Sequence, residues 1–529
     1  MKLRFTCRAE IETASGVVAL GSKQLLRNGE NHIVLTLPEG RIRSITASAF
    51  FPIPDAERIF MNGYQTWTYC PEYDRSSRIR GLHGIPQPIV SHYALDRYGD
   101  YDFVDYPNRR GLTHGVSYCY FRSGARFRLL GSLDETPGYT LFSYDAVRQE
   151  LSLRRDCAGI RCGGDYAAFD LFLAEDGEDV VFDAWFSAMH IQPRTQEKLA
   201  GYSSWYNRFE SITERDILRD LDGCRLLLKQ GDLFQIDDGW ERAVGNWLPD
   251  PFKFPGGMKP LADRAHEAGF LAGLWLAPFS IQRDSRIYRE HPDWLLQKDG
   301  VPYQSGCNWG GFYALDIDQP DVIHYLESVF RRVFDEWGYD LVKLDFLYCA
   351  APFGSDTETR AARMRRAMEL LRRLCGGRLI LGCGVPLYPA FGLVDYCRIG
   401  CDVSLDWDDK PHMRLIHRER VSTRQAIGNA VFRRELNGRA FGSDPDVFFL
   451  RDQNCRLTPE EKEKLATVCA LLGNVFLTSD NPKNYTPAMR REYKRLRALR
   501  DAQNVRIEAD EGLRVRYTID GQEHCMALQ

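Results

Sequence analysis

No run of eighteen apolar residues occurs anywhere in the 529-residue chain, so no segment reads as a membrane-spanning helix. An excess of one charge is missing too: 69 Lys and Arg stand against 73 Asp and Glu, a formal net charge of -4. That balance makes no electrostatic case for nucleic acid or for an anionic membrane surface. Histidine is sparse at 11 residues, and neither a His-x-x-x-His nor a Cys-x-x-Cys run is present. A transition-metal site is therefore not expected. The fifteen cysteines are odd in number and scattered, which argues for reduced, mostly buried thiols and against a disulfide framework. The start, Met1-Lys-Leu-Arg-Phe-Thr-Cys-Arg-Ala-Glu10, lacks the apolar core of a secretory signal, and a cytoplasmic location is the expectation.

What is present is ordinary globular composition, 44% hydrophobic and 27% charged, in a chain long enough for two or three domains. Up to about residue 195 short aromatic or alternating runs recur, such as Val116–Phe121, Phe127–Leu130 and Tyr139–Tyr144, separated by Gly, Pro and Asp. Amphipathic helix patterns are lacking there, and a β-sandwich over 1–195 is expected. Within it, Asn62-Gly-Tyr-Gln-Thr-Trp-Thr-Tyr69 reads as a loop; its Trp67 is either half-buried packing or a flat apolar lid for a sugar.

From about residue 196 the pattern becomes strand, loop, helix, repeated. Strands are expected at 201–206, 233–238, 270–277, 340–346, 378–383 and 395–400, a weak seventh at Phe432–Leu436, and an eighth at 474–478. Helix starts are marked by Ser211-Ile-Thr-Glu214, Asp318-Gln-Pro-Asp321 and Thr458-Pro-Glu-Glu461. Eight such units over 196–503 match a (β/α)8 TIM barrel, and 504–529 reads as a short C-terminal β segment.

In such barrels the chemistry lies at the C-terminal ends of the strands. Strand two ends in Asp237-Asp238-Gly-Trp240, strand three in Trp275, strand four in Lys343-Leu-Asp345, and strand six in Arg398-Ile-Gly-Cys-Asp402. Residues two apart on a strand share a face, so Lys343 and Asp345 should point the same way. With no metal ligands nearby, a polyhydroxylated ligand suits the carboxylates, and Trp67, Trp205, Trp240 and Trp275 could serve as platforms for sugar rings. Two carboxylates across part of a barrel mouth suit glycosidic cleavage by attack and proton transfer. A non-catalytic carbohydrate-binding barrel is the rival from another functional class.

Gly201-Tyr-Ser-Ser-Trp-Tyr-Asn207, Asp237-Asp-Gly-Trp240, Val342-Lys-Leu-Asp-Phe346 and Leu381-Gly-Cys-Gly-Val-Pro386 running on to Cys397-Arg-Ile-Gly-Cys-Asp402, taken in order, resemble the α-galactosidases of glycoside hydrolase family 36, the melibiase-like enzymes. The resemblance implies a retaining, exo-acting α-galactosidase of carbohydrate metabolism acting on α-galactoside oligosaccharides. Asp345 matches the nucleophile and Asp402 the acid/base. Asp237 and Asp238 match the pair that holds the 4- and 6-hydroxyls. Lys343 and Arg398 match sugar contacts, Arg398 near the 2-hydroxyl and the nucleophile. Trp67, Trp275 and Cys383 match pocket wall, with Trp205 as a further candidate. No metal and no organic cofactor is implied, and relatives of both kinds leave a homo-oligomer open. Two features depart from the family pattern: the C-terminal β region is short, and Gly382–Pro386 lacks a Ser/Gly-rich run that contributes to the 2-substituent pocket. An α-N-acetylgalactosaminidase or a galactosyl transglycosylase is accordingly the alternative within the enzymes.

Overall fold

Residues 3–21, 32–510 and 512–528 are described by the computed structural model. They fall into two units: 1–192 with 350–369 and 386–391, and 193–349 with 370–385 and 392–529. The first therefore draws in two later segments beyond the expected boundary near residue 195.

The first unit is built on strand alternation. Thr6–Thr13 turns Cys7, Ala9 and Ile11 inward and the residues between them outward. Two long strands organise it. Arg161–Gly177 pairs antiparallel with His32–Phe50 along its first part and with Arg126–Ser132 along its second. Ile11, Leu35, Ile45, Phe121, Phe142, Leu151 and Phe169, from both sets of strands, fill one core, the arrangement of a sandwich. Asn62–Tyr69 follows the strand Arg58–Met61 as a loop, as expected, and Trp67 stands edge-on to Tyr98 at 6.4 Å. One expectation fails: this region does contain a three-turn helix, Glu178–Ala188. Glu178 and Asp179 favour its N-terminus, and Val181, Phe182, Trp185 and Phe186 bury one face. Its polar residues are only Glu178, Asp179, Asp183 and Ser187, too few to show as a period in the sequence.

In the second unit the strands Leu199–Ser203, Leu233–Ile236, Leu271–Leu276, Leu341–Leu344, Leu379–Gly382 and Tyr396–Arg398 pair in parallel, each with the next. All but the rims of these strands are buried on both faces, which is why they read as continuous apolar runs. Strands one and two approach so closely that a Cβ at Gly201 would lie 2.1 Å from the Leu233 carbonyl oxygen. Strand one stops at Ser203, short of the expected 206, and Trp205–Arg208 is a helical turn.

The seventh strand differs from expectation. Phe432 ends the helix Thr423–Phe432, and Arg434–Leu436 is a 3-10 turn. That helix is buried all round, so it lacks the polar face by which sequence periodicity distinguishes helix from strand. The true strand comes later and is broken. Gly442–Asp444 pairs with strand six, and Val447–Phe448 pairs with the last strand, Val475–Thr478, which returns to strand one. This is the strand order of an eight-stranded β/α barrel whose seventh strand is split at Pro445–Asp446. Residues 503–527 form a three-stranded antiparallel sheet.

Helix starts shift by a residue or two. The first helix after strand one is capped by Thr213, whose hydroxyl accepts from the Asp216 N–H, and Gln319 precedes Pro320–Arg331. The capping box at Thr458 and Glu461 is present in full. Replacing Thr458 by alanine should cost about 1 kcal/mol, read as a lower denaturant midpoint for this unit with the secondary structure otherwise unchanged.

Candidate active site

Strand register decides which side chains meet. Trp275, Lys343 and Leu381 lie level on strands three, four and five. Lys343, expected to address Asp345, instead places its ammonium 2.9 Å from Asp237 on strand two. The same oxygen of Asp237 accepts from the Gln235 side-chain amide at 2.7 Å and the Ser203 hydroxyl at 3.2 Å, and the other accepts the Asp238 N–H at 3.1 Å. Burial works against the Lys343 ammonium, but Asp237 and Asp345 outweigh it, so its pKa is raised.

Asp345 follows the last residue of strand four. Its two oxygens accept the Phe346 N–H at 2.8 Å and the Trp275 indole N–H at 3.2 Å. Phe346 holds φ at +53°, a left-handed conformation unusual for a bulky residue, and so turns its own N–H back onto the carboxylate. Trp275 is buried. Trp240 is not a rim platform: it is fully buried and donates its indole N–H to the Trp275 carbonyl at 2.9 Å. Trp205 lies edge-on to Phe209 at 5.3 Å.

Asp238 is buried at the strand-two turn, where Gly239 takes φ +102° against the backbone of Glu210. Its carboxylate accepts the indole N–H of Trp309 at 3.0 Å. Burial first, then the charges of Glu210 and Asp237, push its pKa up to about 6, against hydrogen bonds from Glu241 and Trp309. Glu241, buried beside it, is raised well above the usual range, by burial and by Asp238. Neither Trp309 nor Glu241 was marked by the sequence. Trp309 sits in a loop between strands three and four with φ +52°, and its ring meets Trp275, Phe312 and Phe346 at 4.9–6.0 Å.

Arg398 ends strand six fully buried. Its guanidinium pairs with Asp402 at 2.8 Å, Asp444 at 3.1 Å and Asp446 at 2.9 Å. The last two, at the split seventh strand, went unseen because that strand was misplaced. Asp446 also accepts the Tyr206 hydroxyl at 2.6 Å and the Val403 N–H at 2.9 Å. Asp402 has its pKa raised, chiefly by burial and further by the charges of Asp345 and Asp237, against Arg398 and Lys343. Cys383, wholly buried after strand five, carries a thiol raised well above its ordinary value by burial and by Asp345.

The second unit thus gathers Asp237, Asp238, Asp345, Asp402, Lys343, Arg398, Trp275 and Cys383 at the C-terminal ends of its strands. No group of His, Cys, Asp and Glu among the described residues is arranged to hold a metal ion. All fifteen cysteines are free thiols. Among the described residues no helix is long and apolar enough to cross a membrane.

A family model described as Melibiase matches residues 225–370. An α-galactosidase from Escherichia coli is 32% identical over 152 residues, which are 26% of this chain and 21% of that protein, so the matched part is about a fifth of that curated relative. The solved structure of the α-galactosidase TtGalA from Thermus thermophilus, in complex with p-nitrophenyl α-D-galactopyranoside, is 30% identical, covers 98% of both chains and has a TM-score of 0.73. The glycoside hydrolase family 36 α-galactosidase AgaA from Geobacillus stearothermophilus shares the fold at 15% identity and a TM-score of 0.59, over 95% of this chain and 72% of that one.

Replacing Lys343 by methionine would leave the Asp237 carboxylate buried without its cation. The expected cost is about 3–5 kcal/mol, measured by denaturant unfolding, with part of the loss recovered when Asp237 is also changed to asparagine.

Proposed function

Since the chain belongs to glycoside hydrolase family 36, the melibiase family of α-galactosidases, we propose that it hydrolyses terminal α-linked galactose from oligosaccharides with retention of anomeric configuration. The Thermus relative holding an α-galactopyranoside supports this choice of sugar. The observation that carries the reading is the pairing of two unlike carboxylates. Asp345 is held at strand four by two neutral N–H donors, while Asp402 has its proton affinity raised by burial and by the charge of Asp345.

The mechanism follows from that difference. Asp345 attacks the anomeric carbon as the galactosyl–oxygen bond breaks, and Asp402 gives its proton to the departing oxygen. The sugar is now an ester of Asp345, and the negative charge that had held the proton on Asp402 is gone. Asp402, now ionised, takes a proton from a water that attacks the anomeric carbon, the bond from that carbon to the Asp345 oxygen breaks, and both carboxyl groups return to their starting states. Asp238, with Trp309 on one oxygen, offers the sugar hydroxyls an acceptor, and Trp275 closes the wall beside Asp345. The reading needs no metal ion or organic cofactor.

Replacing Asp345 by alanine should abolish turnover, and added azide should restore part of it with formation of galactosyl azide. NMR of the wild-type reaction should show α-galactose as the first product; β-galactose first would overturn retention. Because burial pushes the Asp238 pKa up to about 6 and the ionised carboxylate is the stronger acceptor for sugar hydroxyls, galactose should inhibit more weakly as the pH falls through about 6. A galactose inhibition constant that stays flat between pH 5 and 7.5 would contradict that role.

A further inference from the structure

Arg398 presents a difficulty for any acid in its reach. A guanidinium 2.8 Å from Asp402 stabilises the ionised carboxylate, yet a proton donor must hold its proton at the working pH. The same guanidinium also faces Asp444 and Asp446 at 3.1 and 2.9 Å, so its single charge is shared among three carboxylates.

These three are not equivalent. Asp402 is half-buried and takes one donor from Arg398, whereas Asp444 and Asp446 are almost wholly enclosed. Asp446 is met by Arg398, the Tyr206 hydroxyl and the Val403 N–H. The Arg398 charge and these two hydrogen-bond donors favour the ionised form of Asp446, against burial and the charges of Asp402 and Asp444, which push its pKa up to about 7, below the pH of the test. Val403 directly follows Asp402, so the same carboxylate fixes the backbone on which Asp402 stands. Its own backbone is strained, with φ +81° at a residue other than glycine, immediately after the break in strand seven.

We propose that Asp446 is a positioning residue for the proton donor: it draws the Arg398 charge away from Asp402 and anchors Val403, so that Asp402 keeps its proton. The inference rests on the acid/base role of Asp402 set out above. The groups facing the pair are Arg398 and Asp444 at strands six and seven, Tyr206 after strand one, Cys469 of the helix Pro459–Leu472, and Lys343, Asp345, Asp237 and Cys383 on the Asp402 side. Of these only Asp446 touches both Arg398 and the chain next to Asp402.

The test separates substrates by how much they need an acid. Melibiose has a poor leaving group and needs protonation; 2,4-dinitrophenyl α-galactoside leaves as a stable anion and does not. Asp446→Asn keeps the shape but removes the charge, so the guanidinium is shared by Asp402 and Asp444 alone. Its kcat/KM for melibiose at pH 7.5 should fall about tenfold, with the basic limb of the pH profile moved down by about one unit. The value for the dinitrophenyl substrate should stay within about twofold. Tyr206→Phe, which removes one donor to Asp446, should move the limb the same way by less, and it carries the test if the asparagine variant does not fold. Equal losses on both substrates, or an unmoved limb, would overturn the proposal while Asp402→Asn still shows the melibiose-selective loss. If Asp402→Asn itself treats the two substrates alike, the acid/base reading fails instead.

Discussion

A buried guanidinium surrounded by three carboxylates cannot neutralise them all, and the second unit is arranged around that shortfall. Arg398 pairs with Asp402, Asp444 and Asp446, and Lys343 pairs with Asp237. Asp345 takes two neutral N–H donors, and Asp238 takes the Trp309 indole N–H and a hydrogen bond from Glu241. Two cations thus serve six carboxylates in a setting where an uncompensated charge is costly. The constraint is met by proton retention, and burial raises the pKa of Asp238 and Asp402. The site is electrostatically unequal by construction: Asp237 is held by a buried cation, whereas burial lifts Asp238, Asp402 and Asp446 above the ordinary carboxylate range.

Backbone strain marks the same places. Phe346 at +53°, Trp309 at +52° and Asp446 at +81° all adopt left-handed conformations without being glycine, which costs of order 1–3 kcal/mol each. Each serves a carboxylate. Phe346 returns its N–H to Asp345, Trp309 brings its indole to Asp238, and Asp446 reaches Arg398 from just beyond the broken seventh strand. Regular strand ends would carry these groups past one another; the local departures from regularity aim them.

The carboxylates at strands two, four and six were legible because buried parallel strands read as apolar runs, and an acid directly after such a run can only be a strand end. Their partners were less so. The two-residue period correctly puts Lys343 on the inner face, but it says nothing about which strand supplies the nearest anion, and the neighbouring Asp237 wins over Asp345 in its own strand. Asp444 and Asp446 were missed with their strand: Gly-Ser-Asp carries no β-branched or apolar signal, while Ala430-Val-Phe432 at the end of the helix before it does. Trp309 lies in a connection remote in sequence from every barrel strand end. Loops of this kind have no periodicity to read, so only the fold reveals which carboxylate they address.

Under the proposed roles, the choice of donors around each carboxylate also explains the order of events. A cation at Asp345 would stabilise the carboxylate but would then face a neutral ester without its anion once the sugar had bonded. The indole of Trp275 and the N–H of Phe346 avoid that penalty, because a neutral donor can stay hydrogen-bonded to an ester oxygen after the charge has gone. At Asp402 the requirement is opposite. This group must change charge in both half-reactions, and Arg398 steadies its ionised form after the proton leaves. Sharing that cation with Asp444 and Asp446 keeps the support weak enough for the proton to return. One carboxylate is therefore tuned to lose its charge to a covalent bond, and the other to exchange a proton, by differences in donor type that the two strand ends supply.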